Sequence, residues 1–260
     1  MTIYITGDIH GSSANVRERI AQIENPKEDD VIIVCGDAGL EYGSQIQGSA
    51  KKEMKKFQGT WLILRGNHDT RYWRDHTELI NNEGIAPIGN WHFEDKFGDF
   101  TLVQNKYPNI HYIRDDGGIY SIGQYEFLCV PGAYSVDKFY RLTNHLSYEY
   151  EEQLSYTEGM RLHELAIFNA NDIDYVIAHT FPKRIESKLK YLFLDCIDQK
   201  KVDKNTEKWL DVIMGEVSHG KKFKHFFGGH YHDDKELEDN YTLLYHTVVK
   251  LEDYNNGKEV

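Results

Sequence analysis

Eight residues of this chain have the types and local setting for metal chemistry: Asp8, His10, Asp37, Asn67, His68, His179, His230 and His232. They occur in five blocks: Gly7-Asp8-Ile9-His10-Gly11, Gly36-Asp37, Gly66-Asn67-His68-Asp69, His179-Thr180-Phe181-Pro182 and Gly229-His230-Tyr231-His232. Each block follows a short apolar run of the kind that forms a buried strand. Imidazole nitrogen, carboxylate oxygen and one neutral amide, without thiolates, form a donor set suited to Mn²⁺, iron or Zn²⁺. Any one of these residues alone reads as a turn or capping residue, whereas their recurrence at five strand ends reads as a site. The set is too large for one small ion and suits two that share a carboxylate. Two ions about 3.5–4 Å apart lower the pKa of water between them and neutralise phosphoryl oxygens. Phosphoester hydrolysis needs that field, because charge develops on the equatorial and leaving oxygens.

The elements that must position these residues follow from periodicity. Ile3 to Thr6, Val31 to Val34 and Trp61 to Leu64 read as strands. Between them, Ser12 to Glu24 carries Val16, Ile20 and Ile23 at helical spacing behind a serine cap, and Ser44 to Phe57 reads as a helix whose lysines 51, 52, 55 and 56 form a solvated face. This alternation predicts a largely parallel sheet with right-handed crossovers and ligands beyond the carboxyl ends of its strands. From Trp91 to Val130, runs at His111–Ile113, Ile119–Ile122 and Tyr125–Val130, divided by Asp115-Asp116-Gly117-Gly118 and Gly123-Gln124, predict antiparallel hairpins. Ser147 to Asn169 reads as one helix or two, interrupted near Gly159, and Asp174 to Ala178 as a strand. Helices are expected over Leu189–Ile197 and Thr206–Val217, and a last strand over Thr242–Val249. His225 and His246 lie in apolar strands and read as hydrogen-bonded core residues.

Composition narrows the function. A chain of 260 residues and 30.4 kDa, 40% hydrophobic and 28% charged, can bury a sizeable core. With five prolines and no linker-like tract, one domain over residues 1–252 is expected, with a flexible tail over 253–260. The net charge of −12 argues against a duplex nucleic acid partner, since such proteins coat phosphates with cations. Three scattered cysteines form no disulfide framework, and Cys35 and Cys129, inside apolar runs, read as core. No run approaches the ~18–20 apolar residues of a membrane span, and the N-terminus lacks signal-peptide character. A cytoplasmic protein with no membrane partner is expected.

The five blocks, in this order, resemble the calcineurin-like metallophosphoesterases, whose pattern is Asp-x-His, Gly-Asp, Gly-Asn-His-Asp/Glu, a lone His and Gly-His-x-His. The resemblance spans residues 7 to 232 and is greatest with small bacterial and phage-type stand-alone members. It implies a four-layer α/β/β/α sandwich around two facing mixed β-sheets, and two divalent metal ions, Mn²⁺ first, with Fe, Zn²⁺ or Ni²⁺ as alternatives. Carried over residue by residue, Asp8, His10 and His232 hold one ion, Asn67, His179 and His230 the other, and Asp37 bridges them. His68 stabilises the attacked phosphate and protonates the leaving oxygen, with Asp69 orienting it. The implied mechanism is in-line attack by a metal-bridging hydroxide.

The resemblance has a limit. The protein phosphatases and diadenosine tetraphosphate hydrolases of this superfamily read Gly-Asp-x-x-Asp-Arg-Gly in the second block, and here Leu40 and Glu41 replace the Asp and the phosphate-gripping Arg. Glu41 is expected to repel a phosphate. Arg65, at a strand end, is one candidate replacement, and Arg71, Arg74, Lys183 and Arg184, near motif loops, are the alternatives. Tyr231, flanked by two ligands, is the best candidate among Tyr134, Tyr140, Tyr148, Tyr150 and Tyr231 for a substrate-stacking ring, although packing is the plainer reading of all five. The expected activity is hydrolysis of a phosphomonoester or phosphodiester on a small phosphorylated substrate or a phosphoprotein. A nucleotide, 2′,3′-cyclic phosphate or dinucleoside polyphosphate is the alternative substrate. A non-catalytic scaffold of the same fold is the alternative from another class, and the complete ligand set argues against it.

Overall fold

The computed structural model describes residues 1–42, 45–79, 84–189, 202–238 and 240–255. Two mixed sheets face one another. The first has seven strands in the order Val248–Lys250, Ile3–Thr6, Val31–Val34, Thr60–Ile63, Ile110–Tyr112, Phe100–Gln104 and Trp91–Asp95. The second has six: Gly118–Ile122, Tyr125–Val130, Tyr175–Ala178, His225–Gly228, Tyr241–Leu243 and Lys235–Glu238. Ile3–Thr6, Val31–Val34 and Thr60–Ile63 pair in parallel, as their alternation with helices predicts. Tyr125–Val130, Tyr175–Ala178 and His225–Gly228 do the same in the second sheet.

The layers follow from the two-residue period of a strand, which sends successive side chains to opposite faces. Val31 and Ile33 join Ile3, Ile5, Leu62, Phe127, Cys129, Ile177 and Phe227 in a core between the sheets. Ile32 and Val34 face outward with Tyr4, Trp61 and Ile63 onto Val16, Ala50 and Met54 of the helices Ser13–Ala21 and Gly48–Met54. On the far side, Leu128, Val130, Val176 and Phe226 meet Leu162, Leu210, Ile213 and Met214 of the helices Tyr156–Asn169 and Asn205–Val217. Three apolar layers separate four layers of backbone, the α/β/β/α sandwich. Cys35 and Cys129 are buried within it.

Several local expectations give way to tertiary contacts. Lys51 is not on a solvated face: it is 1% exposed, with Nζ 2.5 Å from Glu41 Oε1 and over the Trp91 ring. Glu41, bound also by His76, is thereby neutralised and has no free charge to repel a phosphate. The helix expected to start at Ser147 starts at Tyr156, where Ser155 and Glu158 form a capping box. It runs unbroken through Gly159, and the glycine answers to packing: a Cβ there would stand 2.2 Å from the Trp209 ring of the neighbouring helix. The last expected strand is two: Tyr241–Leu243 ends in one sheet, Val248–Lys250 begins in the other, and the crossover leaves His246 exposed rather than in the core. His225 is buried, its Nε2 2.7 Å from Thr242 Oγ1. Beyond Leu189 the helix expected over Leu189–Ile197 lies outside the described residues. Leu251–Tyr254 forms a 3-10 turn that packs Tyr254 on His225 and Phe227, so folded structure continues past residue 252.

Candidate metal centre

The carboxyl ends of the parallel strands in both sheets open on one edge, and the motif residues stand there. Asp8, Asp37 and Asn67 follow three adjacent strands of the first sheet, while His179 and His230 follow two adjacent strands of the second. The turns are tight. His10, Asp37, His230 and His232 all have positive φ, at 53°, 48°, 77° and 51°. Non-glycine residues rarely adopt that conformation, and its cost is concentrated at functional sites. The motif glycines serve the same crowding. A Cβ on Gly66 would stand 2.1 Å from Asp37 Oδ1, and one on Gly36, itself at φ +92°, 2.2 Å from His179 Nδ1.

Two groups of donors form. In the first, His10 Nε2 and His232 Nε2 are 2.9 Å apart and lie 3.6 and 3.2 Å from Asp8 Oδ2. Asp8 is fully buried, and its Oδ2 has no hydrogen-bond partner. In the second, Asp8, Asp37 and His179 offer atoms within 4.8 Å of one another. His179 Nδ1 is 2.8 Å from the Cys35 carbonyl, to which it can only donate, so Nε2 of the neutral ring holds its lone pair. That lone pair points at Asn67 Oδ1 at 2.8 Å and Asp37 Oδ1 at 3.3 Å. Asn67 is fixed in this sense because its Nδ2 donates to Ser135 Oγ at 2.8 Å. The His230 ring meets His179 edge-on at 5.0 Å, and its backbone N–H donates to Asp8 Oδ1.

Buried carboxylates and imidazole nitrogens that converge at these distances call for positive charge between them. Burial alone would lower the His179 pKa, but Asp37 and then Asp8 push it up to about 9, so the site favours positive charge at that spot. An orphaned carboxylate oxygen, an oriented amide and a tautomer set by a carbonyl fit divalent metal binding. Five of the seven residues expected as ligands stand in these two groups, Asn67 adjoins them through His179 Nε2, and the His230 ring packs beside His179. The structure makes Asp8 the carboxylate common to both groups, with Asp37 beside His179.

His68 stands at the mouth, half-buried, its ring edge-on to His10 and Tyr42. Its backbone N–H donates to Asp37 Oδ1 at 2.6 Å. Burial lowers its pKa, the Asp37 charge opposes that shift, and the Arg141 charge reinforces it. Asp69 makes no hydrogen bond to the His68 ring among the described residues. Its carboxylate instead accepts from the N–H of Gly39 and Gly66 and from the Tyr72 hydroxyl, stapling two motif loops.

Of the residues expected to contact substrate, Arg65, Arg71 and Tyr231 are turned elsewhere. Arg65 is buried and donates to the carbonyls of Glu152 and Gly66. Arg71 is bound by Glu158 and the Glu151 carbonyl. Tyr231 packs against Phe181 in the outer core. Its hydroxyl donates to Glu186 Oε1 and meets Thr180 Oγ1. The cleft above the centre, about 390 Å³, is completed by Tyr42, Asp137 and Arg141. None of these belongs to a motif, and no periodicity in the sequence marks them.

Thr180 also donates to Glu207, whose other carboxylate oxygen is buried without a hydrogen bond. Burial, and then Glu186, push Glu207 from 4.5 up to about 7. A group whose folded pKa is raised contributes stability that is complete below its unfolded pKa and lost as pH rises through the folded one. Glu207→Gln is therefore expected to gain on wild type by about 1–3 kcal/mol between about pH 5 and about pH 8.5. Urea midpoints at the two pH values check this, and an equal difference at both would contradict it.

A four-layer sandwich with carboxylates and imidazoles at the shared edge of its sheets is the architecture of a metallophosphoesterase. The chain belongs to the calcineurin-like phosphoesterase family, whose model matches residues 1–234. Among solved structures, it is similar to the phosphopantetheinyl hydrolase PptH from Mycobacterium tuberculosis at 13% identity and a TM-score of 0.42, covering 94% of this chain and 88% of that one. No curated protein matches the sequence. No helix among the described residues is long and apolar enough to cross a membrane.

Proposed function

We propose that this protein is a binuclear metal-dependent phosphoesterase that hydrolyses a phosphomonoester or phosphodiester of a small substrate or a phosphoprotein. The observation that carries the reading is the convergence of carboxylate, amide and imidazole donors around Asp8 Oδ2 and His179 Nε2. Asp8, His10 and His232 would hold one ion and Asn67, His179 and His230 the other, with Asp37 shared between them as the family resemblance implies and Asp8, which stands in both donor groups, beside it. Mn²⁺ is the first choice of metal, with Fe, Zn²⁺ or Ni²⁺ as alternatives. When bound, the ions supply Lewis acidity toward the phosphoryl oxygens and an acidified water.

The chain's own residues do the rest. Asp37 holds the His68 backbone, which places the imidazole at the cleft mouth where a leaving oxygen would emerge. His68 delivers the proton to that oxygen. Asp69 keeps the second and third loops in register, so that Asp37 and His68 hold their spacing. The acidic surface of the chain favours a small or single-residue substrate over duplex nucleic acid.

Hydrolysis of p-nitrophenyl phosphate and bis-p-nitrophenyl phosphate by the Mn²⁺-loaded protein tests the reading. A monoester rate well above the diester rate is expected for a phosphatase and the reverse for a phosphodiesterase. Two bound ions with neither ester cleaved would favour the non-catalytic scaffold.

A further inference from the structure

One wall of the cleft is built by residues outside every motif. His10, His68 and His232 face Tyr42, Asp137 and Arg141, and Arg141 is the only Lys or Arg among the described residues that line it. Its guanidinium is held at three points. Nε donates to Asp137 Oδ2 at 2.6 Å, Nη1 donates to the Ser147 carbonyl at 3.2 Å, and the plane lies 5.6 Å over the Tyr42 ring. The Tyr42 hydroxyl donates to the same Ser147 carbonyl at 3.0 Å, and its ring meets His68 edge-on at 5.2 Å. Arg141 is thus linked through Tyr42 to the proposed acid. Its Nη2 has no hydrogen-bond partner among the described residues.

Core packing does not explain this placement. The helix Lys138–Thr143 buries none of its residues; Asp137 and Ser147, flanking it in the chain, set the orientation of the Arg141 guanidinium, and the Tyr42 ring is its contact across the cleft. A guanidinium pinned by a carboxylate, with one donor edge left open beside a phosphoesterase centre, is organised in advance for an anionic oxygen.

We propose that Arg141 is the substrate-binding cation of this centre. It donates from Nη2 to a non-bridging oxygen of the substrate phosphate, with Asp137 and Tyr42 holding the guanidinium in place. The proposal rests on the phosphoesterase reading. Its test is calorimetric binding of inorganic phosphate to Mn²⁺-loaded wild type, Arg141→Gln and Arg141→Lys, with KM for p-nitrophenyl phosphate measured alongside. A charge-assisted hydrogen bond of this kind corresponds to a loss of about tenfold to a hundredfold, which Arg141→Gln should show in both phosphate affinity and KM. Arg141→Lys should recover part of it, because the charge returns without the planar fork. Phosphate affinity in Arg141→Gln within about twofold of wild type would overturn the proposal. So would Arg141→Lys no better than Arg141→Gln, since the loss would then come from the broken tie to Ser147. A wild type that neither binds phosphate nor cleaves either ester would instead overturn the phosphoesterase reading itself.

Discussion

Asp37→Ala is expected to drop the metal content below two ions per chain while the protein stays folded. The strand Val31–Val34 that carries Asp37 is buried on both faces by apolar contacts that do not depend on the carboxylate. The carboxylate is 1% exposed, Oδ1 faces His179 Nε2 at 3.3 Å, and the surrounding histidines hold its pKa well below the usual range despite burial. Its removal leaves the second group with one carboxylate, Asp8, against the imidazoles of His179 and His230. Changes to outer-shell partners of a metal typically cost about 10–100-fold in affinity or activity, and loss of a shared ligand should exceed that. Asp37→Asn keeps an oxygen that can accept from the His68 N–H and so separates the charge from the loop contact. Elemental analysis after dialysis checks both variants, and two tightly held ions in Asp37→Ala would refute the shared role.

His68→Ala is expected to behave oppositely, keeping both ions and losing turnover by about 10²–10⁴. The ring lies outside both donor groups, at the mouth of the cleft. Leaving-group dependence distinguishes proton donation from packing. An alkyl phosphate needs a proton on its departing oxygen, whereas p-nitrophenolate leaves without one, so the alkyl ester should lose more rate. Equal losses on both esters, accompanied by loss of metal, would make His68 a structural neighbour of Asn67.

The parts of the fold that short-range pattern specifies were legible in the sequence. The runs Ile3–Thr6 and Val31–Val34 are buried at every position because both faces of each sheet are covered, and the donors follow them because parallel strands share one carboxyl edge. Long-range partners decide what was not legible. Lys51 reads as a surface lysine until Glu41 and Trp91 close over it, and Gly159 reads as a helix breaker until Trp209 occupies the space. Tyr231 sits between two ligands in sequence and faces the opposite way in space. Arg141 is separated by 99 positions from Tyr42 and by 73 from His68, and only the fold brings its cation to the cleft.

Hydrolysis of p-nitrophenyl phosphate by fully chelated protein, titrated with Mn²⁺, tests the central claim most directly. The account predicts negligible activity without metal and a rise that saturates at two equivalents of Mn²⁺ per chain. Activity that survives chelation, or that saturates at a single equivalent, would contradict a binuclear centre built from Asp8, His10, Asp37, Asn67, His179, His230 and His232.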